Sequence, residues 1–450
     1  MTGLALALSA FGCMLVGIFL RVPIALAMGL TGFFGSWYVI GVPTGALAQL
    51  KSLSYETFSN PGLAIVPLFL LMGQFATRTG MSAALFEAAS DWLGHRKGGV
   101  AMASVGACAG FGAICGSSLA TASTMGQVAL PEMRARGYSD ALSTGVLAAG
   151  GTLGILIPPS IILVIYAIMA EQNIVKMFMA ALIPGVLAAL GYIITVAIYV
   201  RVRPNSASTA PRIPYGRRLK TLKATWPVFV IFGLTMGGII ADWNWVRPGT
   251  QALFTPNEAA AFGAAATGLY GVLTGKLDWE GFKLTILQTA KATGMIFAIL
   301  LGAEVLKGFL ALTRAPDLLA DWVTTQGFLP ITVLLVMLLC YLIFGCVMDS
   351  LSMILLTVPI FLPIIEVLDF GMTAEETAIW FGILALIVVE VGLITPPVGM
   401  NLFIINGVAR DIPMGQTYRG VTPFVLSDLV RVGILVAFPA LTLWLVGIAF

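Results

Sequence analysis

The sequence predicts an all-α polytopic membrane protein built from two inverted-topology repeats. Each repeat holds a re-entrant helical hairpin and a transmembrane helix broken at Pro-Pro. Three observations lead there. Of 450 residues, 59% are hydrophobic and only 10% charged, against about 25% charged in soluble domains. Two long stretches, Gly98–Pro131 and Trp322–Ile365, carry one charge between them, Asp349. Two dipeptides, Pro158-Pro159 and Pro396-Pro397, interrupt otherwise apolar sequence, where each proline removes a backbone donor and crowds the preceding turn.

Apolar runs of about 20 residues, each enough to cross roughly 30 Å of hydrocarbon, recur along the whole chain. They place spanning helices near 2–20, 22–40, 61–79, 140–169 (broken) and 177–200. A second set falls near 225–242, 257–275, 284–305, 376–408 (broken) and 424–449. Residues 1–20 carry no charge ahead of Arg21; a secretory leader would open on a basic segment, so this reads as a retained first helix.

Between the two sets lies RVRPNSASTAPRIPYGRRLKTLK, residues 201–223, with Arg201, Arg203, Arg212, Arg217, Arg218, Lys220 and Lys223. So many cations mark residues 201–224 as a cytoplasmic linker by the positive-inside rule, dividing repeat 1–200 from repeat 225–450. With the linker inside, the first repeat starts outside and the second starts inside. Only Lys51, Lys176, Arg247, Lys307 and Arg314 then fall on the outer face, with Lys291 and Arg431 within helices and the other cations inside.

As one straight helix, Gly98–Pro131 would run about 50 Å, too long for a bilayer. Arg96 and Lys97 before it and Arg134 and Arg136 after it both favour the cytoplasm. A segment that enters and leaves on one side is a hairpin, here about 98–133, with its tip at Gly116-Ser117-Ser118. Two very short spanning helices would be the alternative. The second repeat has a matching hairpin at about 329–365, with Asp349 near its middle, opening to the opposite side.

The repeats align weakly but in order. A shift of 232 pairs Ser118 with Ser350 and Pro131 with Pro363. A shift of 238 pairs Gly154 with Gly392, so GILIPPS (154–160) answers GLITPPV (392–398).

Inverted repeats with discontinuous helices are the architecture of secondary transporters. Irregular backbone at membrane depth survives only where protein buries it or it lines a cavity. Half-helix C-termini offer carbonyls to a hard cation, and N-termini offer N–H groups to an anion. Thr395 and Asn401 add side-chain oxygens beside the second break. Sodium suits these neutral oxygens better than a proton does. No GxxxxGK[ST] loop is present, so no nucleotide drives the chain directly.

Intramembrane carboxylates are functional candidates by default. Asp349 reads as an ion ligand or as a hydrogen-bonding stay for its tip; Glu390 reads rather as a helix-to-helix hydrogen-bond partner. Asp428 and Arg431, spaced i, i+3, read as a local ion pair near the cytoplasmic end. His95 is the only histidine, and Cys13, Cys108, Cys115, Cys340 and Cys346 lack metal-ligand spacing. With neither HExxH nor GxSxG, an enzyme is poorly supported. The net charge of +3 gives no indication of nucleic-acid binding.

The runs IVPLFLLMG (65–73), GSSLATASTMGQVALPEMRARGY (116–138), GTLGILIPPS (151–160), FTPNEAAA (254–261), MDSLSMILLTVPIFLPI (348–364) and GLITPPVGMNLF (392–403) resemble a known family. It is the large membrane subunit of tripartite ATP-independent periplasmic (TRAP) transporters. The resemblance implies an elevator-type, sodium-coupled carrier of organic acids such as dicarboxylates or sialic acids. A stand-alone sodium/anion symporter of the same fold is the alternative. It implies a small four-helix membrane subunit, a periplasmic substrate-binding protein, and a place in the bacterial inner membrane with both termini periplasmic.

It also implies about two sodium sites. The first takes Gly116, Ser117, Ser118, Gly154 and Pro158; the second takes Gly345, Asp349, Ser350, Gly392, Thr395 and Met400. Substrate would meet Ser118, Ser160, Thr395 and Asn401. ADWNWVRPGTQAL (241–253) departs from the family pattern as an insertion of about ten residues ahead of FTP-x-EAAA, implying a subgroup with different docking or substrate.

Overall fold

The computed structural model describes residues 3–241 and 252–450, and among them every regular element is a helix. The chain begins with α1 (Gly3–Phe19), α2 (Ile24–Ile40), α3 (Pro43–Ser59), α4 (Ile65–Arg78) and α5 (Met81–Leu93). The first hairpin is α6 (Gly99–Cys115) and α7 (Ser118–Ala135), followed by the broken helix α8 (Asp140–Leu156) and α9 (Ile161–Met169), and by α10 (Ile174–Val202). After the linker come α11 (Tyr215–Ala224), α12 (Trp226–Ile240), α13 (Pro256–Leu273), α14 (Trp279–Thr313) and α15 (Ala315–Thr325). The second hairpin is α16 (Pro330–Gly345) and α17 (Ser350–Glu366); α18 (Ala374–Gly392) and α19 (Met400–Val408) form its broken helix, and α20 (Met414–Ala437) and α21 (Ala440–Ala449) end the chain. The insertion at 241–253 falls almost wholly on 242–251, outside the described residues.

Local chemistry sets these boundaries. Thr255 with Glu258 opens α13 and Thr373 with Glu376 opens α18 as capping boxes, each satisfying two orphan N–H groups. Asn257 Nδ2 also donates to the Pro61 carbonyl at 3.0 Å, so the FTPNEAAA motif ties the start of α13 to the entry of α4.

Three sequence expectations need correction. The helix expected at 284–305 is α14, 35 residues long, because the Asp278 cap starts it early and Arg314 ends it only at φ 52°. At about 1.5 Å per residue it runs roughly 52 Å, which fits a bilayer only when tilted. The helix expected at 424–449 is two: α20 begins at Met414, carries Pro423 inside it, and stops before Phe438-Pro439. The Asp428–Arg431 pair does not lie near a helix end; it is buried in the middle of α20. Four helices, α3, α5, α11 and α15, were not anticipated.

The packing forms two neighbourhoods. In one, α2 lies along α14 with α1 and α3 beside it, while α4 pairs with α13 and α13 with α12. In the other, α6, α7 and α8 pack with α10 and α20, and α16, α17 and α18 pack together. Tyr166 of α9 donates to the Ala378 carbonyl of α18 at 2.6 Å, joining the two broken helices.

Candidate functional site

Each hairpin turns on two to four residues. In the first, Gly116 caps α6 at φ 63°, where a side chain would be strained. Ser117 then caps α7, its Oγ accepting from Ala120 N–H at 3.4 Å. In the second, Asp349 caps α17, accepting from Ser352 N–H at 3.1 Å and Ser352 Oγ at 2.6 Å. These hydrogen bonds steady the second tip.

The tips meet. A cavity of about 230 Å³ is lined by Gly116, Ser117 and Ser118 of one tip and by Asp349 and Ser350 of the other, with Leu393 beside the second break. Gly73 and Gln74 of α4 and Ala292, Met295 and Ile296 of α14 close it from the other neighbourhood. A Cβ on Gly73 would lie 2.8 Å from the Cys115 carbonyl oxygen, so glycine there lets α4 approach the first tip.

The same device recurs where each hairpin crosses its broken helix. A Cβ on Gly154 would sit 2.4 Å from Thr121 Oγ1 and 2.7 Å from the Ser117 carbonyl oxygen. One on Gly392 would sit 2.6 Å from the Gly345 carbonyl carbon. Backbone packs directly on backbone in both repeats.

The breaks differ in what they leave free. Prolines cannot donate, so in α8 the carbonyls of Gly154 and Ile155 lose the N–H groups four residues on. Among the described residues no other backbone N–H replaces them. In α18 the corresponding oxygens are taken: Gly392 by Thr395 N–H at 3.0 Å and Leu393 by Asn401 N–H at 3.1 Å. Both Pro-Pro peptide bonds are cis.

Among the described residues four buried oxygens here make no well-formed hydrogen bond, Ser118 Oγ, Thr121 Oγ1, Glu390 Oε2 and Asn401 Oδ1, with Ser118 facing the Glu390 carboxyl group and Thr121 the Cys115 thiol. Glu390 is 1% exposed and accepts from Ser350 Oγ at 2.5 Å, bridging α18 to the second hairpin. Of the remaining expected residues, Ser160 is buried and caps α9 beside the first tip, accepting from Leu163 N–H at 3.4 Å. Pro158 is buried within the break and Met400 half-buried at the start of α19. Thr395 spends its hydroxyl on the Val391 carbonyl at 2.6 Å, and Asn401 Nδ2 donates to the Ala148 carbonyl at 3.4 Å. Ser160, Thr395, Met400 and Asn401 do not line the cavity between the tips. Sequence reasoning missed Thr121, whose signal was its four-residue spacing from Ser117, one helical turn.

A larger cavity, about 690 Å³, lies at the base of the first hairpin between α5, α7 and the linker. Its charges are engaged with one another, Arg136 with Glu132 and Arg217 with Glu87 and Asp91, and it stands apart from the tips.

Two opposed hairpins and two broken helices converging on one cavity, apolar for the most part with a few polar groups from the tips, define a secondary transporter of the inverted-repeat class. The fold is shared with the crystal structure of the Alcanivorax borkumensis YdaH transporter, at a TM-score of 0.62, 13% identity, and coverage of 88% of this chain and 89% of that one. Residues 11–441 match the family described as tripartite ATP-independent periplasmic transporter, DctM component. The C4-dicarboxylate TRAP transporter large permease protein DctM of Pseudomonas aeruginosa is 35% identical, covering 92% of each chain. The sialic acid TRAP transporter large permease protein SiaM of Vibrio cholerae is 29% identical, covering 86% of each. The chain belongs to this family: it is the large permease subunit of a TRAP transporter, a multi-pass membrane transport protein and not an enzyme. In such a system the large permease sits in the inner membrane and works with a small membrane subunit and a periplasmic binding protein.

Proposed function

We propose that this permease imports an organic acid anion, received from the periplasmic binding protein, in symport with sodium by an elevator motion of the hairpins and broken helices. The observation that carries the reading is the cluster of uncommitted oxygens where the tips meet: Ser118 Oγ, Thr121 Oγ1, and the bare carbonyls of Gly154 and Ile155. Hard, neutral oxygen donors suit an alkali cation. One ion would be held by Gly116, Ser117, Ser118, Gly154 and the backbone freed by Pro158, with Thr121 added. A second would lie among Gly345, Asp349, Ser350, Gly392, Thr395 and Met400. Bound sodium would supply positive charge against a carboxylate resting near Ser118, Ser160, Thr395 and Asn401.

The named substrates of the two relatives, a C4-dicarboxylate and sialic acid, are both carboxylates, which favours that class here. Both termini are assigned to the periplasm, following the basic linker inside.

The test is uptake by the reconstituted permease with its small subunit and binding protein. Replacing sodium by potassium or choline at fixed pH should abolish uptake. Undiminished uptake on a proton gradient alone would sink the sodium reading.

A further inference from the structure

The linker ends in a helix of ten residues, α11, which bends by 49° into the apolar α12. At about 100° per residue its side chains sort onto three sides. Tyr215, Leu219 and Leu222 share one side, exposed at 59%, 58% and 40%, and Trp226, the first residue of α12 just past the bend, is exposed at 57%. Large apolar side chains are normal singly on a surface; three at helical spacing with a tryptophan just beyond them form a patch. It continues onto α12, where Phe229 and Val230 are exposed as well.

The second side docks on α5. Arg218 is 3% exposed, its guanidinium 5.9 Å from the Trp92 ring centre and 5.2 Å from that of Tyr215. Thr221 Oγ1 donates to Asp91 at 3.1 Å, and Arg217 lies 3.8 Å from the same carboxylate. These contacts fix the helix, so the apolar stripe cannot turn inward.

The third side carries Lys220 and Lys223, both exposed and without an ion pair among the described residues. Arg212, just ahead of the helix, is exposed too; it donates to the Tyr215 hydroxyl at 2.9 Å and stacks on that ring, and makes no ion pair among the described residues.

We propose that α11 lies in the headgroup layer of the bilayer, with Tyr215, Leu219, Leu222 and Trp226 dipped toward the acyl chains. Arg212, Lys220 and Lys223 form a binding site for anionic phospholipid headgroups. Two features commit the patch to lipid. Its apolar stripe is continuous with the exposed face of the strongly apolar α12, and its free charges are uniformly basic beside that stripe.

The site bears on transport through the strap that precedes it. Ala210 N–H donates to the Gly94 carbonyl at 3.0 Å, Ser139 N–H to the Ser206 carbonyl at 2.9 Å, and Ser208 Oγ to the Arg136 carbonyl. A headgroup held at α11 therefore steadies the strap bound to the base of the first hairpin.

The full permease complex in nanodiscs, with phosphatidylglycerol titrated into phosphatidylcholine, tests this by counting lipids retained in native mass spectrometry. Wild type should retain phosphatidylglycerol preferentially. Each of Arg212→Gln, Lys220→Gln and Lys223→Gln should weaken that retention about fivefold, as expected for one cation near a lipid surface. Lys176→Gln, which removes a cation already paired with Glu375, should not. Soluble glycerol phosphate should fail to compete; competition would point to a free phosphate site and overturn the lipid assignment. Nitroxide at Leu219→Cys should be relaxed by oxygen and not by a water-soluble nickel chelate. Relaxation by the chelate would place α11 in water, and protection from both would place a protein on the stripe; either result overturns the proposal.

Discussion

Gly154→Ala tests the first proposed sodium site through a single methyl group. The added Cβ would lie 2.4 Å from Thr121 Oγ1, 3.0 Å from Thr121 Cβ and 2.7 Å from the Ser117 carbonyl oxygen. Non-bonded heavy atoms settle near 3.5 Å, so the start of α7 must retreat by roughly 0.8 Å or more. Thr121 can rotate away. The Ser117 carbonyl cannot, because it accepts from Thr121 N–H at 3.0 Å and belongs to the turn that shapes the tip. Overpacking of this kind costs about 1–3 kcal/mol, and charged against the ion-holding geometry that is a roughly 5–150-fold loss of affinity. In proteoliposomes holding the whole system, half-saturating sodium should therefore rise at least about fivefold, with protein still folded in detergent. The control is Gly106→Ala in the neighbouring arm α6, where a Cβ meets nothing within 4 Å; its sodium curve should match wild type. An unchanged sodium curve in Gly154→Ala, or an equal shift in both variants, would refute the placement of the site.

Two further outcomes are expected from the buried and exposed ion pairs. Arg431 Nη2 lies 2.9 Å from Asp428 Oδ1, Tyr192 donates to Asp428 Oδ2 at 2.7 Å, and Thr152 reaches the Tyr192 hydroxyl at 2.9 Å. Arg431→Met would strand a buried carboxylate and lower stability by about 3–5 kcal/mol, seen as a lower melting midpoint in detergent, while adding Asp428→Leu should restore most of it. A double variant as unstable as the single one would show that the pair is not the cause. At the surface, Arg134 Nη2 holds Asp411 at 2.8 Å and keeps its carboxyl below the usual carboxylate range, chiefly through that hydrogen bond. A lowered folded pKa adds stability that is complete above the unfolded value, about 3.9, and is lost as pH falls through the folded one. The melting difference between wild type and Arg134→Gln should thus stay constant from about pH 5 to 8 and shrink only below about pH 4; a difference that changes near neutrality would assign it to another group.

How much of this was legible depends on which physics each feature obeys. Hydrocarbon thickness and charge sidedness act on long windows, and they mark the all-helical, twice-repeated fold directly. Glycine and proline act on the backbone itself, so Gly116, Gly154, Gly392 and the Pro-Pro pairs stand out without coordinates. The helices that went unseen obey neither rule. Helix α3, PTGALAQLKSLSYETFS, is of mixed polarity and α11 is amphipathic, so neither registers in a search for 20 apolar residues. Charges misled at α14, where Lys283 and Lys307 read as ends although α14 runs past both. Thr121 was hidden because nothing in its type separates an orphan hydroxyl from one that bonds back to its own helix, as Thr395 does to Val391.

The sequence repeat also conceals an asymmetry that matters chemically. GILIPPS and GLITPPV look equivalent, yet Ile157 N–H keeps the four-residue bond to Leu153 at 3.2 Å while Thr395 N–H tightens to the three-residue bond with Gly392. That choice decides which carbonyls remain. The first break keeps Gly154 and Ile155 bare beside the unpartnered hydroxyls of Ser118 and Thr121, a neutral set of oxygens. The second closes its carbonyls and instead holds carboxylates within reach of its tip, Asp349 bonded to Ser352 and Glu390 bonded to Ser350. Neutral donors must offer attraction by geometry alone, whereas carboxylates attract a cation from a distance and at a higher desolvation penalty. The two proposed sodium sites, related by the repeat, would therefore not be interchangeable, and the tighter demand on shape would fall on the first, where a methyl at Gly154 meets Thr121 and the Ser117 carbonyl.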